Sequence, residues 1–268
     1  MKTDFSPDHQ ISFACNICGR SNTQAAGTFH REAPNCSGCG STPRFRGIIH
    51  ALSLGLMKQS LPLKQFTSDP HVKGIGMSEW EGYARVLSEK FDFTNTFFHQ
   101  EPFLDVVSQT HWQNYQGSDF LICTEVFEHV LQPLEPGFTN MRKMLKTGGH
   151  LVFSTPFGDA PKTIEHFPGM VDFATCQMGE DWLVVSKKSD GSYQVYDEHV
   201  VFHGGPGTVL EMRIFGRDEL VKQLEEAGFE VTVLDEAVPE IGYYWPSIVD
   251  RPEFGHIGEH YILLCKAI

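Results

Sequence analysis

The chain has few long apolar runs and little positive charge. No stretch of about 18 uninterrupted apolar residues occurs in its 268 residues, so no segment reads as a membrane-crossing helix. The opening residues, MKTDFSPDHQ, contain no apolar run of the kind that leads a secreted chain, and a cytoplasmic location is expected. Lysine and arginine number 21 against 34 aspartates and glutamates, giving a formal net charge of −13. The balance is uneven, because residues 1–50 hold five basic and three acidic residues while the remainder is strongly acidic. An acidic surface repels phosphate backbones, so nucleic acid is not the expected partner unless the N-terminal segment grips it locally. Internal repeats and low-complexity segments are absent. So is any G-x-S-x-G, which removes the hydrolase reading that the HGGPG run at 203–207 would otherwise invite. The length suits one large core with a small appendage.

Four of the seven cysteines fall close together. Cys15 and Cys18 form one C-x-x-C pair and Cys36 and Cys39 another, with Gly19 and Gly40 after the second cysteine of each. Glycine there lets the backbone fold back so that its N–H groups face sulfur. This spacing matches a four-thiolate zinc site, with two disulfides as the alternative. Four thiolates close the coordination shell, so the expected zinc is structural: some forty residues cannot build a core without a staple. Cys123, Cys176 and Cys265 are scattered and are expected to be reduced and buried.

Ser41 or Thr42 can cap a helix with Pro43 in its first turn, and Phe45, Ile48, Ile49, Leu52 and Leu56 share one face. This helix is expected to dock the cysteine module on the main domain. Arg44 and Arg46 beside it are either solvated helix-end charges or an anion contact. The expected organisation is a zinc-binding module at 1–42, a connecting helix and linker at 43–70, and a main domain at 71–268 with a cap insertion at about 158–213.

From residue 71 strands alternate with helices: a short strand near 71–76, a helix from 79, FTNTFFH (93–99), SDFLICTE (118–125), a helix over 134–145 and HLVFSTPF (150–157). A helix stopped by Gly228, a strand and the final strand at 260–268 follow. This order predicts an α/β fold with a parallel, Rossmann-like sheet. The insertion after 157 carries Asp190-Gly191 between alternating segments, a hairpin signal, and reads as a β-rich cap. It follows a strand's carboxyl end, where open α/β sheets bind ligands.

Gly74-Ile75-Gly76 begins like a nucleotide turn, but Ser78 and Glu79 stand where further glycine would be needed. Glu79 would also set a carboxylate beside a pyrophosphate, so a cationic donor suits the turn better. Ser78 and Glu81 form an S-x-x-E pattern, from which a capping box at the start of the next helix is expected.

DFLICTEVFEHV (119–130) followed by MRKMLKTGGHLVFSTPF (141–157) resembles the central signature of class I S-adenosylmethionine-dependent methyltransferases, and FGRDELVKQLEEAGFEV resembles their late helix and strand. The resemblance covers roughly 71–157 and 212–268, and leaves the cysteine segment and the insertion outside it. It implies that S-adenosylmethionine binds at Gly74, Ile75, Gly76, Met77 and Ser78, with Thr124 and Glu125 near its amino group. Glu101, or Asp105, would be the acid for ribose or adenine. The family's usual acid before the first glycine is Val72 here, and a crossover helix before residue 118 is expected to be missing.

Methyl transfer is an in-line displacement, in which the enzyme aligns the nucleophile and excludes water; an alcohol acceptor also needs a base. His129 in the signature, and His166 and His203 in the insertion, are the candidates for acceptor contact or base. The expected acceptor is a small polar metabolite, a sugar or sugar derivative first among them. Two alternatives stand beside it. One is an RNA or protein methyltransferase that uses the zinc module for substrate. The other is a non-catalytic binding module with a decayed donor loop, which Val72 and Ser78 would suit. The oligomeric state is left open.

Overall fold

The computed structural model describes residues 5–158, 160–245, 249–251, 256–258 and 261–268. Near its start β1 (Gln10–Ala14) and β2 (Ser21–Ala25) pair antiparallel, and β1 buries Ile11 and Phe13 on alternate positions. Helix α1 (Pro43–Met57) opens as expected: the Thr42 hydroxyl accepts from the Phe45 amide at 3.2 Å and Pro43 occupies the first turn. Its apolar face buries Ile48, Ile49 and Leu52 completely. Each such side chain contributes about 1.5–3 kcal/mol.

The main domain then runs β3 (Asp69–Met77), α2 (Glu81–Lys90), β4 (Phe91–Thr96), β5 (Ser118–Thr124), α3 (Glu135–Met144) and β6 (Leu145–Ser154). The cap region follows as β7 (Phe157–Gly158), β8 (Ile164–Glu165), β9 (Met170–Met178), β10 (Asp181–Lys188), β11 (Tyr193–Tyr196), β12 (Phe202–His203), β13 (Val209–Leu210) and β14 (Arg213–Gly216). The chain closes with α4 (Arg217–Glu226), β15 (Phe229–Leu234), β16 (Val249–Arg251), β17 (His256–Gly258) and β18 (Ile262–Ala267).

Six strands form the main sheet in the order β15-β18-β6-β5-β3-β4. Strands β4, β3, β5 and β6 are parallel, and β18 inserts antiparallel between β6 and β15. Helix α1 packs on β18 and β6. The cysteine segment contributes Ile11, Phe13, Ile17 and Phe29 to the same apolar core as the sheet. A second, smaller core of Phe167, Met170, Val184, Leu210 and Met212 holds the cap together. Its hairpin at Asp190-Gly191 forms as expected: β10 and β11 pair antiparallel, Gly191 takes φ +84° and Asp190 Oδ1 accepts from the Ser192 amide.

Several expectations need correction. Gly74 and Gly76 lie inside β3, paired to β4 on one side and β5 on the other, so the turn begins only at Ser78. Ser78 takes φ +61° and its amide donates to the Thr96 carbonyl at 2.7 Å. It does not cap α2, which starts at Glu81 after Trp80 with no side-chain cap. The Asn95 side chain instead fixes the turn before the helix, accepting from the Glu79 amide and donating to its carbonyl. The strand expected at 93–99 ends at Thr96, and the one expected at 150–157 starts at Leu145 and stops at Ser154. His129 lies in a 3-10 turn, Phe127–His129, ahead of α3. As expected, among the described residues no crossover helix joins β4 and β5; a single 3-10 turn, His111–Tyr115, stands in its place. Cys123 and Cys265 are buried as expected, but Cys176 on β9 is exposed.

Candidate functional site

The chain leaves β3 toward β4 on one side, while β5 and β6 lie on the other. The crevice at the carboxyl ends of β3 and β5 is therefore the topological switch point, where open α/β sheets place their ligands. Met77 ends β3 with Ser78 just after it, and Thr124 ends β5 with Glu125 just after it, so the sheet brings these sequence-predicted residues together. Ile75 is buried in the sheet and offers the crevice only backbone. The two glycines are required by packing. A side chain at Gly74 would overlap the Phe120 ring, and one at Gly76 would meet Glu79 Cγ and Phe93 Cζ, each at 2.8 Å.

Glu79 turns inward. Its carboxylate accepts from the Tyr83 hydroxyl, and from the Thr124 hydroxyl at 3.0 Å. Burial pushes its pKa up to about 7, and the Tyr83 and Thr124 donors and the Arg44 charge offset this only in part.

Arg31 of the cysteine segment and Arg44 of α1 reach the crevice at the end of β5. Arg31 grips Glu125 with both terminal nitrogens, at 2.6 and 3.2 Å. Glu32 accepts from Arg44 at 2.7 Å and also pairs with Arg31. Ser154 at the end of β6 donates to Glu125 at 2.7 Å. Burial pushes the Glu125 carboxyl up, but Arg31 and Arg44 outweigh it and hold the group well below the usual carboxylate range. Arg44 Nη1 reaches Thr124 Oγ1 at 3.5 Å. The crevice therefore offers both signs of charge, which is what an amino-acid group carrying a carboxylate and an ammonium requires.

A second cluster lies just beyond β5. The cap is stitched to the Phe127–His129 turn by Arg213, which donates to the Phe127 and Val130 carbonyls at 2.7 and 2.6 Å and to Glu165 at 2.7 Å. The Met212 amide donates to the Glu128 carbonyl at 2.8 Å. This seam brings the three predicted histidines together. His129 and His203 meet edge to face with ring centroids 4.7 Å apart, and His166 Nε2 stands 3.8 Å from Glu211. Two carboxylates complete the group: Glu128, fully buried, and Glu211, which meets His203 Nε2 at 2.8 Å. Burial pushes the His203 pKa down, but Glu128 and Glu211 outweigh it and raise it to about 10. Thr155 after β6 donates to Glu128 Oε2 at 2.9 Å, so the cluster sits at the same end of the sheet as the crevice. Sequence reasoning missed Glu128, Glu211 and Arg213; the adjacent Glu128-His129 pair was the available signal.

The four cysteine sulfurs lie within 4.8 Å of one another, with Cys15–Cys39 at 3.8 Å and Cys18–Cys36 at 3.6 Å. A tetrahedron of ~2.3 Å metal–sulfur bonds has edges of about 3.8 Å, so the thiols suit a tetrathiolate ion. Gly19 and Gly40 take the left-handed conformation, at φ +82° and +72°, as their positions after each pair require. The Gly38 amide donates to Cys36 Sγ at 3.4 Å. Burial raises the Cys36 pKa, but the Gly38 and Cys39 amides outweigh it and lower it to about 6. Arg46, fully buried, places its charge beside the group and donates to Ser41, Asn35 and Gly242.

Glu101 and Asp105 fall on the loop after β4. Glu101 is exposed and accepts from the Phe103 amide at 3.0 Å; Asp105 is half-buried and accepts from the Val107 amide at 3.1 Å.

The sequence pattern of the family described as "Methyltransferase domain" matches residues 54–234. No curated protein matches the sequence. Among solved structures the chain is similar to an S-adenosylmethionine-dependent methyltransferase from Clostridium acetobutylicum ATCC 824, at 11% identity over 81% of this chain and 96% of that one, TM-score 0.42. It is also similar to DesVI of Streptomyces venezuelae, at 9% identity over 82% and 92%, TM-score 0.41. The amino pentose methyltransferase CalS10 of Micromonospora echinaspora gives 11% identity over 84% and 95%, TM-score 0.41. Likeness at this level says nothing of a shared substrate. The family match, which spans more than half of the chain and runs through β3 to β15, decides the matter: the chain belongs to the methyltransferase-domain family.

Proposed function

We propose that this enzyme methylates a small polar metabolite, a sugar or sugar derivative first among the candidates, beneath the β-rich cap. The observation that carries the reading is the convergence of His129, His166 and His203 with Glu128 and Glu211 where the cap meets the end of the sheet. Such a cluster can hold an acceptor hydroxyl and take its proton. S-adenosylmethionine supplies an electrophilic methyl group when bound. Arg31 and Arg44 would take its carboxylate, Thr124 and Glu125 its ammonium, and the backbone at Ser78 would line its amino-acid end. Glu101 or Asp105 would serve the ribose or adenine. The four cysteines hold a structural zinc ion in this reading, with no open position for chemistry.

The placement of the basic residues weighs against an RNA acceptor. Arg31, Arg44 and Arg46 make up most of the positive charge of residues 1–50, and all three point inward, toward the crevice or the core, with little of their side chains exposed. Little charge is left on that segment to grip a phosphate backbone.

Incubation with methyl-labelled S-adenosylmethionine and a metabolite extract tests the proposal. Label is expected in acid-soluble small molecules. Label confined to acid-insoluble material would replace this reading with a macromolecular substrate, and absence of donor binding by calorimetry would sink it.

A further inference from the structure

The side chains around Glu128 hold one arrangement that hydrogen bonding leaves unexplained. Glu128 is fully buried, and its Oε1 accepts no hydrogen bond. The two nearest ring nitrogens, His129 Nε2 and His203 Nδ1, each stand 3.5 Å away, where a hydrogen bond would draw them to about 2.8 Å. The far side of each ring is already committed. His129 Nδ1 lies 2.8 Å from the Leu210 carbonyl, which can only accept, so that nitrogen carries the proton. His203 Nε2 lies 2.8 Å from the Glu211 carboxylate and carries its proton for the same reason. The remaining ring nitrogens, His129 Nε2 and His203 Nδ1, both face the unpaired carboxylate oxygen, and a positive charge, either a ring proton or a metal ion, is what brings three such atoms to one point.

We propose that Glu128 Oε1, His129 Nε2 and His203 Nδ1 form a site for a divalent first-row transition metal, separate from the four cysteines. The three atoms lie within 4.8 Å of one another. Bonds of ~2.1 Å set ligands about 3.4 Å apart in a tetrahedron, close to the two spacings seen. Two imidazoles and one carboxylate suit zinc, manganese or iron better than magnesium or calcium. The Leu210 carbonyl and Glu211 are the outer partners that fix ring tautomer and direction at metal-binding histidines. Three protein ligands leave positions for water or substrate. The carboxylate side of the site is closed, whereas the His129 and His203 side chains are 15% and 32% exposed, so a path to the open positions exists. An acceptor would enter as an oxygen ligand, its hydroxyl acidified by the ion. That use rests on the function proposed above; the existence of the site does not.

Manganese separates this site from the thiolates, which disfavour so hard an ion. Titration of protein carrying a single zinc per chain with Mn²⁺, followed by loss of the free-ion electron paramagnetic resonance signal, is expected to find one Mn²⁺ per chain. His129→Ala and His203→Ala should each weaken it by about tenfold or more, and Glu211→Gln should weaken it less than either. The two histidines are partly exposed, so these variants test the site even if Glu128→Gln fails to fold. No retained Mn²⁺ in the native protein, or equal retention in both histidine variants, overturns the proposal and leaves His203 as a charge partner of two carboxylates. Calorimetry with S-adenosylmethionine on the same samples keeps the readings apart. Donor binding without Mn²⁺ removes only the metal site, and Mn²⁺ binding without donor removes only the methyltransferase reading of the crevice.

Discussion

Arg31 and Glu125 are 94 residues apart in sequence and meet through two nitrogen–oxygen contacts of 2.6 and 3.2 Å. The pair ties the cysteine segment to the end of β5 at the switch point. Its side chains are only 8% and 18% exposed, so solvent screens it weakly. Removing one partner from a buried pair leaves a charge without compensation, which costs about 3 kcal/mol. Arg31→Ala should lower unfolding free energy in urea by that order, and Arg31→Ala with Glu125→Gln should recover much of it. An additive double-mutant cycle would show that the two side chains are not coupled.

Metal removal gives a second expectation. The cysteine segment shares one apolar core with the main sheet, so loss of the zinc proposed there should not unfold it alone. Chelation, or Cys36→Ser, is expected to release one zinc per chain and to lower the melting temperature of a single transition. Two separated transitions, or a protein purified without zinc and indifferent to chelator, would contradict the tetrathiolate site.

Glu79 sets a pH dependence. Its pKa is raised by burial from 4.5 to about 7, against which Tyr83, Thr124 and Arg44 act only partly. The folded protein therefore binds a proton that the unfolded chain releases in this window. The stabilisation is complete below about pH 4.5 and is lost as pH rises through about 7, a span of ~3 kcal/mol. Glu79→Gln should flatten this part of the stability profile, measured by denaturant unfolding between pH 4.5 and 8. An unchanged slope would mean that Glu79 ionises normally.

Gly74 separates a packing role from a donor-binding role. A Cβ there would overlap the Phe120 ring, so Gly74→Ala should cost about 3 kcal/mol or more. Gly74→Ala with Phe120→Leu should regain part of that loss, because the smaller side chain gives room. If Gly74→Ala keeps its stability and loses only affinity for S-adenosylmethionine, the glycine serves the ligand rather than the sheet.

Local chemistry was legible in the sequence. The Thr42 cap, the Asp190-Gly191 hairpin, the left-handed glycines after each cysteine pair and the alternation of β3 to β6 are decided by neighbours within a few residues. The S-x-x-E pattern at Ser78 misled because tertiary partners outbid the local one: Thr96 takes the Ser78 amide and Asn95 takes that of Glu79. The candidate site was half legible. Its three histidines stood out as residue types. Their carboxylate partners did not, since Glu128 and Glu211 are acids in an acidic chain until the fold sets them 83 residues apart around one imidazole. Arg31 carried no local signal at all.

The guanidinium of Arg46 joins three parts of the chain. It donates to Ser41 beside the cysteines, to Asn35 between them, and at 2.8 Å to the carbonyl of Gly242, which lies 196 residues further on. Phe13 from β1 covers it, with the ring centroid 4.6 Å from the guanidinium carbon. A buried cation with its hydrogen bonds unmade is costly. During synthesis the cysteine segment is made well before Gly242, one of the acceptors that completes its interior, nearly 200 residues later. Its final packing therefore waits on the late part of the chain, and a chain truncated before Gly242 would carry a cysteine segment whose central arginine lacks its distal acceptor.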